Sequence, residues 1–485
     1  MSLAAGVIGG AACTGTAVDL VNRGALDRCT THNPEISLFR TRFYRYVDFA
    51  MEPITHQGST SPQFGTMIQF PINRAGDGHI NSYYHIVFPG IRGETRENGQ
   101  VCQTYPVPAD WCDPCGDGDE NHCCQTQPQP EEPNCELDVC IGVDGPWATW
   151  VNAAAMAVIH QSALVIGHNI IDEEVSWSLF FWEEICAQPG KRLGEMIHRY
   201  DARPTLIQAS MNPNGINCYL PMRFHHCLHV GNMLALTSMN WHSMAYHIRF
   251  AQLTQMIQVD ATTTCPVKCS DGLPVTNQDL AVEILTQVVH LDFAERDRLA
   301  GATYSNLIRQ RQHREIGFTA SSQFSFKIPM NFSVTFITFA IQRDCQRRYN
   351  NWFDFWGRWG YDPLVRFYMR FNNQGRMLAL DAMYYRGVMP EAFGNLIPTA
   401  AVYLVPFCVD CAEPSQPNGS FNASRIEHIE FIGELQPDLV GEGLHFLMAA
   451  WNWQKFNYDD GLAGTGFSND VVKSIDAAYD GDFEW

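Results

Sequence analysis

The chain has 485 residues, which is enough for two or three domains of ordinary size. Its formal net charge is −20, and no long run of Lys or Arg occurs, so nucleic-acid binding by phosphate neutralisation is not expected to be its main role. Charged residues make up 17%, below the roughly 25% of an average soluble domain, so we expect either extensive subunit contacts or a large core.

Residues 1–32 are predicted to form an N-terminal arm. Residues 1–13 are small, apolar and rich in glycine, and they lack the positively charged region of a signal peptide. No window of the sequence reaches the ~18 consecutive apolar residues that a membrane-spanning helix requires. We therefore interpret this segment as an arm rather than as a signal peptide or an anchor.

Residues 33–259 are predicted to form a first β-sandwich, because short apolar runs alternate there with turn residues. Within it, 67–88 is typical of two strands, and Asn and Gly in 73–78 favour a β-hairpin between them. The Ala-rich segment 147–160 predicts one short helix, and a strand is expected to follow.

A long insertion at 93–145 interrupts the first sandwich. It is rich in Pro, Gly, acidic residues and Cys and has no hydrophobic period, so we expect a loop that projects from one end of the sandwich. Cys112 and Cys115 form a Cys-x-x-Cys pair, and the adjacent Cys123 and Cys124 follow, a set that would suit tetrahedral zinc. Disulfides within the loop are nevertheless the favoured interpretation, and free thiols and zinc are the alternatives.

A polar linker at 260–279 is predicted to separate two all-β halves. The second sandwich is assigned to 280–475 and a C-terminal tail to 476–485. Neither an alternating strand–helix pattern nor a glycine-rich phosphate loop occurs in the sequence. The strands expected in the second half are apolar runs between turn signals, at 280–293, 324–328, 333–341, 364–371, 377–383, 400–409 and 426–433.

His225, Cys227 and His229 form a candidate metal-binding face. Alternate residues of a strand point to the same side, so these three side chains would converge as ligands do in a cupin-type jelly roll. No acidic neighbour supplies an evident general base. A core strand whose imidazoles are hydrogen-bonded to their surroundings is the commoner arrangement, and it is the interpretation that we favour.

Dense aromatic residues in 352–361 are a second candidate site, because such rings can stack on sugars or bases. Packing in a core or at a subunit interface is the alternative. The neighbouring acids in 172–174 and 183–184 are interpreted as solvated faces without a catalytic role.

The segment 33–52 carries the most specific signature. It reads Asn-Pro-Glu-Ile-Ser-Leu-Phe, then Arg-Phe-Tyr-Arg-Tyr, then Asp-Phe-Ala-Met-Glu, and it resembles the N-terminal signature of major capsid proteins of nucleocytoplasmic large DNA viruses. The resemblance covers roughly 20–470, although the Cys-rich insertion has no counterpart in it. Further matching segments follow in the same order at 72–77, 150–172, 218–221, 289–298 and 416–426.

The resemblance implies an all-β double jelly roll: two consecutive eight-stranded sandwiches with long insertion loops and a few short helices. It implies a structural protein of the virion, not an enzyme, that needs no cofactor and forms homotrimeric, pseudo-hexagonal capsomers of an icosahedral shell assembled in the host cytoplasm. The expected partners are further copies of the chain, minor capsid and penton proteins, and an internal membrane reached by the N-terminal arm, whereas direct nucleic-acid binding is not expected.

Two other function classes compete with this implication. One is a cupin-like metal enzyme that uses His225, Cys227 and His229. The other is a carbohydrate-binding surface protein of the virion that uses the tryptophan-rich segment 352–361, which would leave the 33–52 signature unexplained.

Overall fold

The computed structural model describes residues 33–35, 39, 41, 43–93, 148–187, 192–259, 267–269, 275–375 and 378–467. Residues 1–48 are a unit of their own, and the fold lies in the unit that starts at Phe49. Among the described residues, no helix is long and apolar enough to cross a bilayer.

The first part of the larger unit is built mainly from strands. These are β1 (Phe49–His56), β2 (Met67–Pro71), β3 (Gly78–Phe88), β4 (Ile91–Gly93), β5 (Ala148–Trp150), β6 (Ile159–Ile166), β7 (Asn169–Val175), β8 (Ile216–Pro221), β9 (Leu234–Ala235), β10 (Met244–Phe250), β11 (Ile257–Val259), β12 (Val267–Cys269) and β13 (Ala281–Leu291). Its helices are α1 (Ala154–Val158), α2 (Ser176–Ile185), α3 (Arg203–Ser210) and α4 (His225–Leu228), with 3-10 turns at Gly194–Ile197, Val230–Asn232, Leu236–Ser238 and Leu253–Gln255.

The second part repeats this composition after helix α5 (Phe293–Ala300). Its strands are β14 (Tyr304–Thr319), β15 (Gln323–Lys327), β16 (Ser333–Arg343), β17 (Leu364–Phe371), β18 (Gln374–Gly375), β19 (Leu380–Asp381), β20 (Val402–Pro406), β21 (Phe421–Asn422), β22 (Ile429–Leu435), β23 (Gly443–Asp459) and β24 (Leu462–Thr465). Its helices are α6 (Asp344–Arg348) and α7 (Met389–Ala392), a π-helix at Tyr384–Val388, and 3-10 turns at Arg358–Gly360, Ala423–Arg425 and Pro437–Leu439.

Each part is a sandwich of two four-stranded sheets with short additional strands at the edges. In the first sandwich the sheet orders are β1-β13-β3-β8 and β2-β10-β6-β7. In the second they are β14-β23-β16-β20 and β15-β22-β17-β18. Numbered by their order within each sandwich, both read 1-8-3-6 and 2-7-4-5. Two eight-stranded sandwiches of identical strand order are a double jelly roll, which confirms the fold that the resemblance implied.

The alternation of side chains along the strands determines which residues form the cores of the two sandwiches. In β3, inward residues such as Tyr84, Ile86 and Phe88 are buried and alternate with half-buried ones, as expected for a sheet with one face toward a sandwich interior. The buried apolar residues of both sandwiches belong to one continuous cluster. The sandwiches therefore share packing instead of being joined only by a chain segment.

The boundary between the sandwiches differs from the predicted one at 260–279. Strand β13 was assigned to the second sandwich, but it pairs along its length with β1 and β3 of the first. The polar segment before it is thus a connection inside the first sandwich, and α5 leads into the second. Polarity marks a surface loop, but it does not tell whether that loop lies within a domain or between two.

The predicted β-hairpin at 67–88 is also corrected. Strand β2 pairs with β10, and β3 lies in the opposite sheet, so the turn carries the chain from one sheet to the other. Arg74 anchors this crossing by donating to the carbonyls of Leu236 and His242, at 3.2 and 2.6 Å. Gly76 has a φ of +70°, and a Cβ there would lie 2.1 Å from a methyl of Val288, so the glycine is required.

The other predicted elements vary in accuracy. The helix expected over 147–160 shortens to α1, because β5 precedes it and β6 begins directly after it. The strands expected near 324–328, 333–341 and 364–371 are confirmed as β15, β16 and β17.

Candidate functional site

The candidate metal face at His225, Cys227 and His229 does not form. The segment makes the helical turn α4 instead of a strand, so alternate residues no longer share a side. His225 is buried, whereas His229 is exposed. The Cys227 sulfur is used locally, because it accepts a hydrogen bond from the Ser82 amide at 3.3 Å.

No group of three or more His, Cys, Asp or Glu side chains within the described residues is arranged to hold a metal ion. The cupin-like hypothesis therefore lacks its ligand set at α4. The other metal candidates, Cys112, Cys115, Cys123 and Cys124, lie outside the described residues, and the choice between zinc, disulfides and free thiols there stays a prediction.

A cluster of four buried histidines lies around α4 instead. His56 of β1 and His79 of β3 have ring centroids 5.2 Å apart, and those of His225 and His226 are 5.4 Å apart. Burial lowers the pKa of His56 and of His79 to about 4 and that of His225 to about 3, and it lowers the pKa of His226 strongly. All four imidazoles are therefore neutral at physiological pH. His226 is oriented by Tyr246, whose hydroxyl lies 2.9 Å from its Nε2.

The acidic segment 172–174 is not the solvated face that the sequence suggested. Because side chains alternate along β7, Asp172 and Glu174 both point inward and are buried. The Arg311 guanidinium of β14 donates to Asp172 at 2.7 Å and to Glu174 at 3.0 Å. A second bond runs from the Arg311 amide to Asp172 at 3.1 Å. This buried triad joins the first sandwich to the second.

The triad is surrounded by groups from both sandwiches. Arg311 lies over the rings of Phe224 and Trp451, with its guanidinium carbon 5.7 and 5.2 Å from their centroids. Burial raises the pKa of Asp172 to about 6, although the positive charge of Arg311 opposes that shift. Glu174 is further satisfied by the hydroxyl of Tyr84 at 3.1 Å. Removing Arg311 would leave two buried carboxylates without a counter-charge.

Helix α2 forms the rest of the junction. Its Trp182 packs against Trp451 of β23 with ring centroids 4.6 Å apart, and Phe180 stacks on Phe353 at 4.7 Å. Glu184, predicted to be solvated, is buried and accepts hydrogen bonds from the amide and hydroxyl of Thr399 at 2.6 and 2.9 Å. Helix α2 of the first sandwich is thus packed into the second.

Burial alone would raise the pKa of Glu184, but the charge of Arg199 and hydrogen bonds from Arg199 and Thr399 bring it below its ordinary value. This carboxylate is therefore ionised, and it is held by residues on both sides of the junction.

The aromatic segment 352–361 divides between this junction and the surface. Phe353 and Phe355 contact α2, and the Trp352 indole donates to the Gln255 carbonyl at 2.7 Å. Trp359 and Tyr361 remain exposed. Most of the segment therefore packs within the protein, and few of its rings are available for stacking on a sugar.

Sequence reasoning missed the charged junction and a thiol pair. The spacing of the charged residues could have indicated the junction. Asp172 and Glu174 lie two residues apart in one strand, and so do Arg309 and Arg311 in another, so each pair is on one face of its strand. A second Cys-x-x-Cys, Cys408 to Cys411, was also passed over.

Large apolar side chains remain exposed on both sandwiches. In the first sandwich they include Phe49, Met51, Met67, Tyr219 and Trp241. From α5 onward they include Phe293, Leu307, Trp359, Tyr361, Leu378, Val409 and Leu462. These surfaces, together with the rigid junction, are the candidate functional features of the described residues.

Comparison with known families gives two adjoining matches. Residues 134–292 match the family described as "Major capsid protein N-terminus". Residues 295–441 match the family described as "Large eukaryotic DNA virus major capsid protein". The point between the matches falls beside α5, where the structure places the boundary between the sandwiches.

Individual relatives are distant. The chain is 21% identical to the major capsid protein of Phaeocystis pouchetii virus over 359 residues, which is 69% of this chain and 60% of that protein. It is 22% identical to the major capsid protein of Chrysochromulina ericina virus over 363 residues, 68% of this chain and 58% of that protein. The match thus spans less than two thirds of the length of these relatives.

Solved structures are similar in fold. The PBCV-1 virus capsid matches with a TM-score of 0.65 at 16% identity, over 89% of this chain and 100% of that one. The Faustovirus major capsid protein matches with a TM-score of 0.62 at 10% identity, over 90% of this chain and 94% of that one.

Proposed function

Because this chain belongs to the family of major capsid proteins of large eukaryotic DNA viruses, we propose that it is a structural protein of the virion shell and forms homotrimeric capsomers. Three copies would bring together six jelly rolls of the same strand order. Six similar blocks around one axis make a pseudo-hexagonal unit, which can tile the flat facets of an icosahedral shell.

The junction between the sandwiches is the observation that carries this proposal. A pseudo-hexagonal trimer requires the two jelly rolls of each copy to keep one fixed relative position. The buried triad of Arg311, Asp172 and Glu174 and the docked helix α2 supply that constraint. A buried charge tolerates little sliding, because any displacement leaves it unpaired.

The exposed apolar side chains support contacts between copies. Phe293 is 76% exposed and Trp241 is 78% exposed, and a contact surface would remove such rings from water. Specific interfaces bury roughly 800 Å² on each partner. We propose that surfaces of this kind are covered within the trimer and between neighbouring trimers.

Light scattering after size exclusion tests the trimer. The purified chain is expected to have three times the mass of one 54.7 kDa chain, and to keep it on dilution through the micromolar range. A monomer at every concentration would contradict the proposal. Electron microscopy of the same sample should show particles with pseudo-sixfold outlines.

The finer assignments extend this proposal. We infer assembly in the host cytoplasm, contacts with minor capsid and penton proteins, and contact of the N-terminal arm, residues 1–32, with an internal membrane.

The insertion at 93–145 leaves the first sandwich where β4 ends and returns where β5 begins. We propose that it decorates one end of the capsomer. Deleting it should preserve the trimer.

The rival functions receive less support. The metal-enzyme hypothesis required a strand at 225–229, which is a helical turn. The carbohydrate-binding hypothesis retains Trp359 and Tyr361, which are exposed and line a surface pocket together with Asp362 and Asp381. It leaves the signature at 33–52 unexplained.

A further inference from the structure

A pair of cysteines lies in a tight turn after β20, at the start of the connection to β21. Cys408 and Cys411 are the ends of a Cys-x-x-Cys sequence, and their Sγ atoms are 3.6 Å apart. Both residues are buried, whereas Val409 between them is 75% exposed. The turn therefore lies at the surface with its two thiols directed inward.

The backbone of this turn is held from several sides. Arg309 Nη1 donates to the Cys411 carbonyl at 2.6 Å. Asp410 Oδ1 accepts from the Ala412 amide at 2.8 Å, and the Asp410 carbonyl accepts from Asn418 Nδ2 at 2.9 Å. These contacts hold the backbone of the turn, in which the two sulfurs lie 3.6 Å apart, compared with ~2.05 Å in a disulfide.

The two thiols are electrostatically unequal. The hydrogen bond between the two thiols and the positive charge of Arg309 bring the pKa of Cys408 below its ordinary value, although burial opposes them. The hydrogen bond to Cys408, together with burial, raises the pKa of Cys411 strongly. Cys408 is also the more accessible of the two, at 4% exposed against 0% for Cys411. A thiolate is the nucleophile of disulfide exchange, so we assign the first attack to Cys408.

We propose that Cys408 and Cys411 form a reversible disulfide by exchange with a small-molecule or protein disulfide. The Cys408 thiolate attacks one sulfur of the oxidant, forms a mixed disulfide and releases one oxidant thiolate. Cys411 then loses its proton and attacks Cys408 Sγ, which forms the Cys408–Cys411 bond and releases the second thiolate. Two protein thiols are oxidised, and one external disulfide is reduced to two thiols.

The site lies beside the junction between the sandwiches. Cys186, at the end of α2, interacts electrostatically with both Cys408 and Cys411. Arg309 contacts the turn and also lies over Trp453 of β23, with its guanidinium carbon 5.1 Å from the ring centroid. Closing the disulfide would remove conformational freedom from the loop that β20 and Arg309 hold in place.

Oxidised glutathione and peptide mass spectrometry test the proposal on the native full chain. Trypsin releases residues 387–425 as one peptide that contains only these two cysteines. After oxidation and alkylation, this peptide should be two hydrogens lighter and unalkylated. Its oxidation should be at least about tenfold faster than modification of the buried single thiol Cys345, which is the matched control.

Single variants test the order of attack. With Cys411→Ser, glutathione should remain trapped on Cys408, whereas with Cys408→Ser, Cys411 should stay unmodified. Preferential trapping on Cys411 would overturn the assigned roles. The proposal would be wrong if Cys408 and Cys411 both stay free thiols in the native wild-type chain after treatment with oxidised glutathione, while the same treatment oxidises them in the urea-unfolded chain. A disulfide from either cysteine to Cys186, which lies on a different tryptic peptide, would also contradict it.

Discussion

At the scale of single residues, the protein depends on charges that only other protein groups can stabilise. The Arg311 side chain is 0% exposed, and its partners Asp172 and Glu174 are 1% and 0% exposed. Desolvation of three charges costs about as much as their attraction returns, so the triad adds little net stability. Its effect is to make one relative position of the two sandwiches far better than any other.

Replacing Arg311 by Met should therefore lower the free energy of unfolding by about 3–5 kcal/mol, because two buried carboxylates would lose their counter-charge. Arg298→Met is the matched control, since the Arg298 side chain is 73% exposed and pairs with Glu295 on the surface. That change should alter stability by less than about 0.5 kcal/mol. Urea unfolding of both variants at pH 7 measures the difference, and equal effects would show that the triad is not a structural requirement.

Residue roles were only partly predictable from the sequence. The acids at 172–174 are consecutive, and consecutive charges are usually solvated. Their burial follows from a partner, Arg311, that lies about 140 positions away and that a single sequence does not pair with them. The predicted metal-binding face of His225, Cys227 and His229 was wrong for a local reason. The shared face required a strand, and the segment forms a helical turn.

At the scale of secondary-structure elements, α2 transmits packing from one sandwich to the other. Phe180→Ala should destabilise the protein by about 3–5 kcal/mol, because it removes a ring that packs on Phe353 and Phe355. Phe467→Ala, at a position after β24 that is 61% exposed, should cost much less. Thermal and urea unfolding compare the two variants. Similar losses would mean that α2 does not carry the junction.

The histidine cluster between β1, β3 and α4 should make the protein sensitive to acid. The pKa of an unfolded histidine is ~6.5, and the folded values of His56 and His79 are about 4, so the unfolded chain takes up protons first. Stability is therefore complete above pH 6.5 and falls as the pH decreases toward 4, by about 1.4 kcal/mol per pH unit for each buried histidine. Asp172 opposes this loss of stability. Because its pKa is raised to about 6 in the folded protein, the folded state takes up a proton at Asp172 before the unfolded chain does.

Replacing His56 and His79 together by Gln should reduce the slope of unfolding free energy against pH between 6 and 5 by about 2.3 kcal/mol per unit. His168→Gln, at an exposed site, should leave the slope unchanged. Urea titrations at several pH values give the slope independently of any loss of absolute stability. A wild-type slope near zero would show that these imidazoles are not buried in their neutral form.

The strands that the sequence predicted best are those with apolar, β-branched residues between turn signals, such as β16. The two longest, β14 and β23, were not singled out. In β14 polar and charged residues are frequent, and they become buried only because β23 and the first sandwich cover them. Pairing between distant strands also decided where β13 belongs, and that information is absent from a local pattern.

At the scale of the whole molecule, local sequence patterns indicated two all-β halves, but they did not give the order of the strands. The resemblance to a known family was needed to predict that both halves are jelly rolls. A jelly roll pairs its first strand with its eighth, so most of its contacts join distant parts of the chain. Periodicity identifies strands, but it cannot choose among the ways of pairing them. The signature at 33–52 carried the fold assignment because it matches a family whose topology is known.

The shared core leads to a last prediction about cooperativity. The apolar cluster is continuous across both sandwiches, and the triad and α2 join them. Neither sandwich can unfold without exposing Trp182 and Trp451 or leaving buried charges unpaired. We therefore expect one unfolding transition, with tryptophan fluorescence and far-ultraviolet circular dichroism giving the same urea midpoint at a fixed protein concentration.

Arg311→Met and Phe180→Ala provide the comparison for that transition. By weakening the junction, either substitution should separate the two signals or broaden the transition, whereas the surface variant Arg298→Met should keep a single sharp one. Two well-resolved transitions in the wild-type chain would mean that the sandwiches are independent folding units. The fixed junction would then have to come from contacts between copies, and a trimer would have to form before the two jelly rolls took up their relative position.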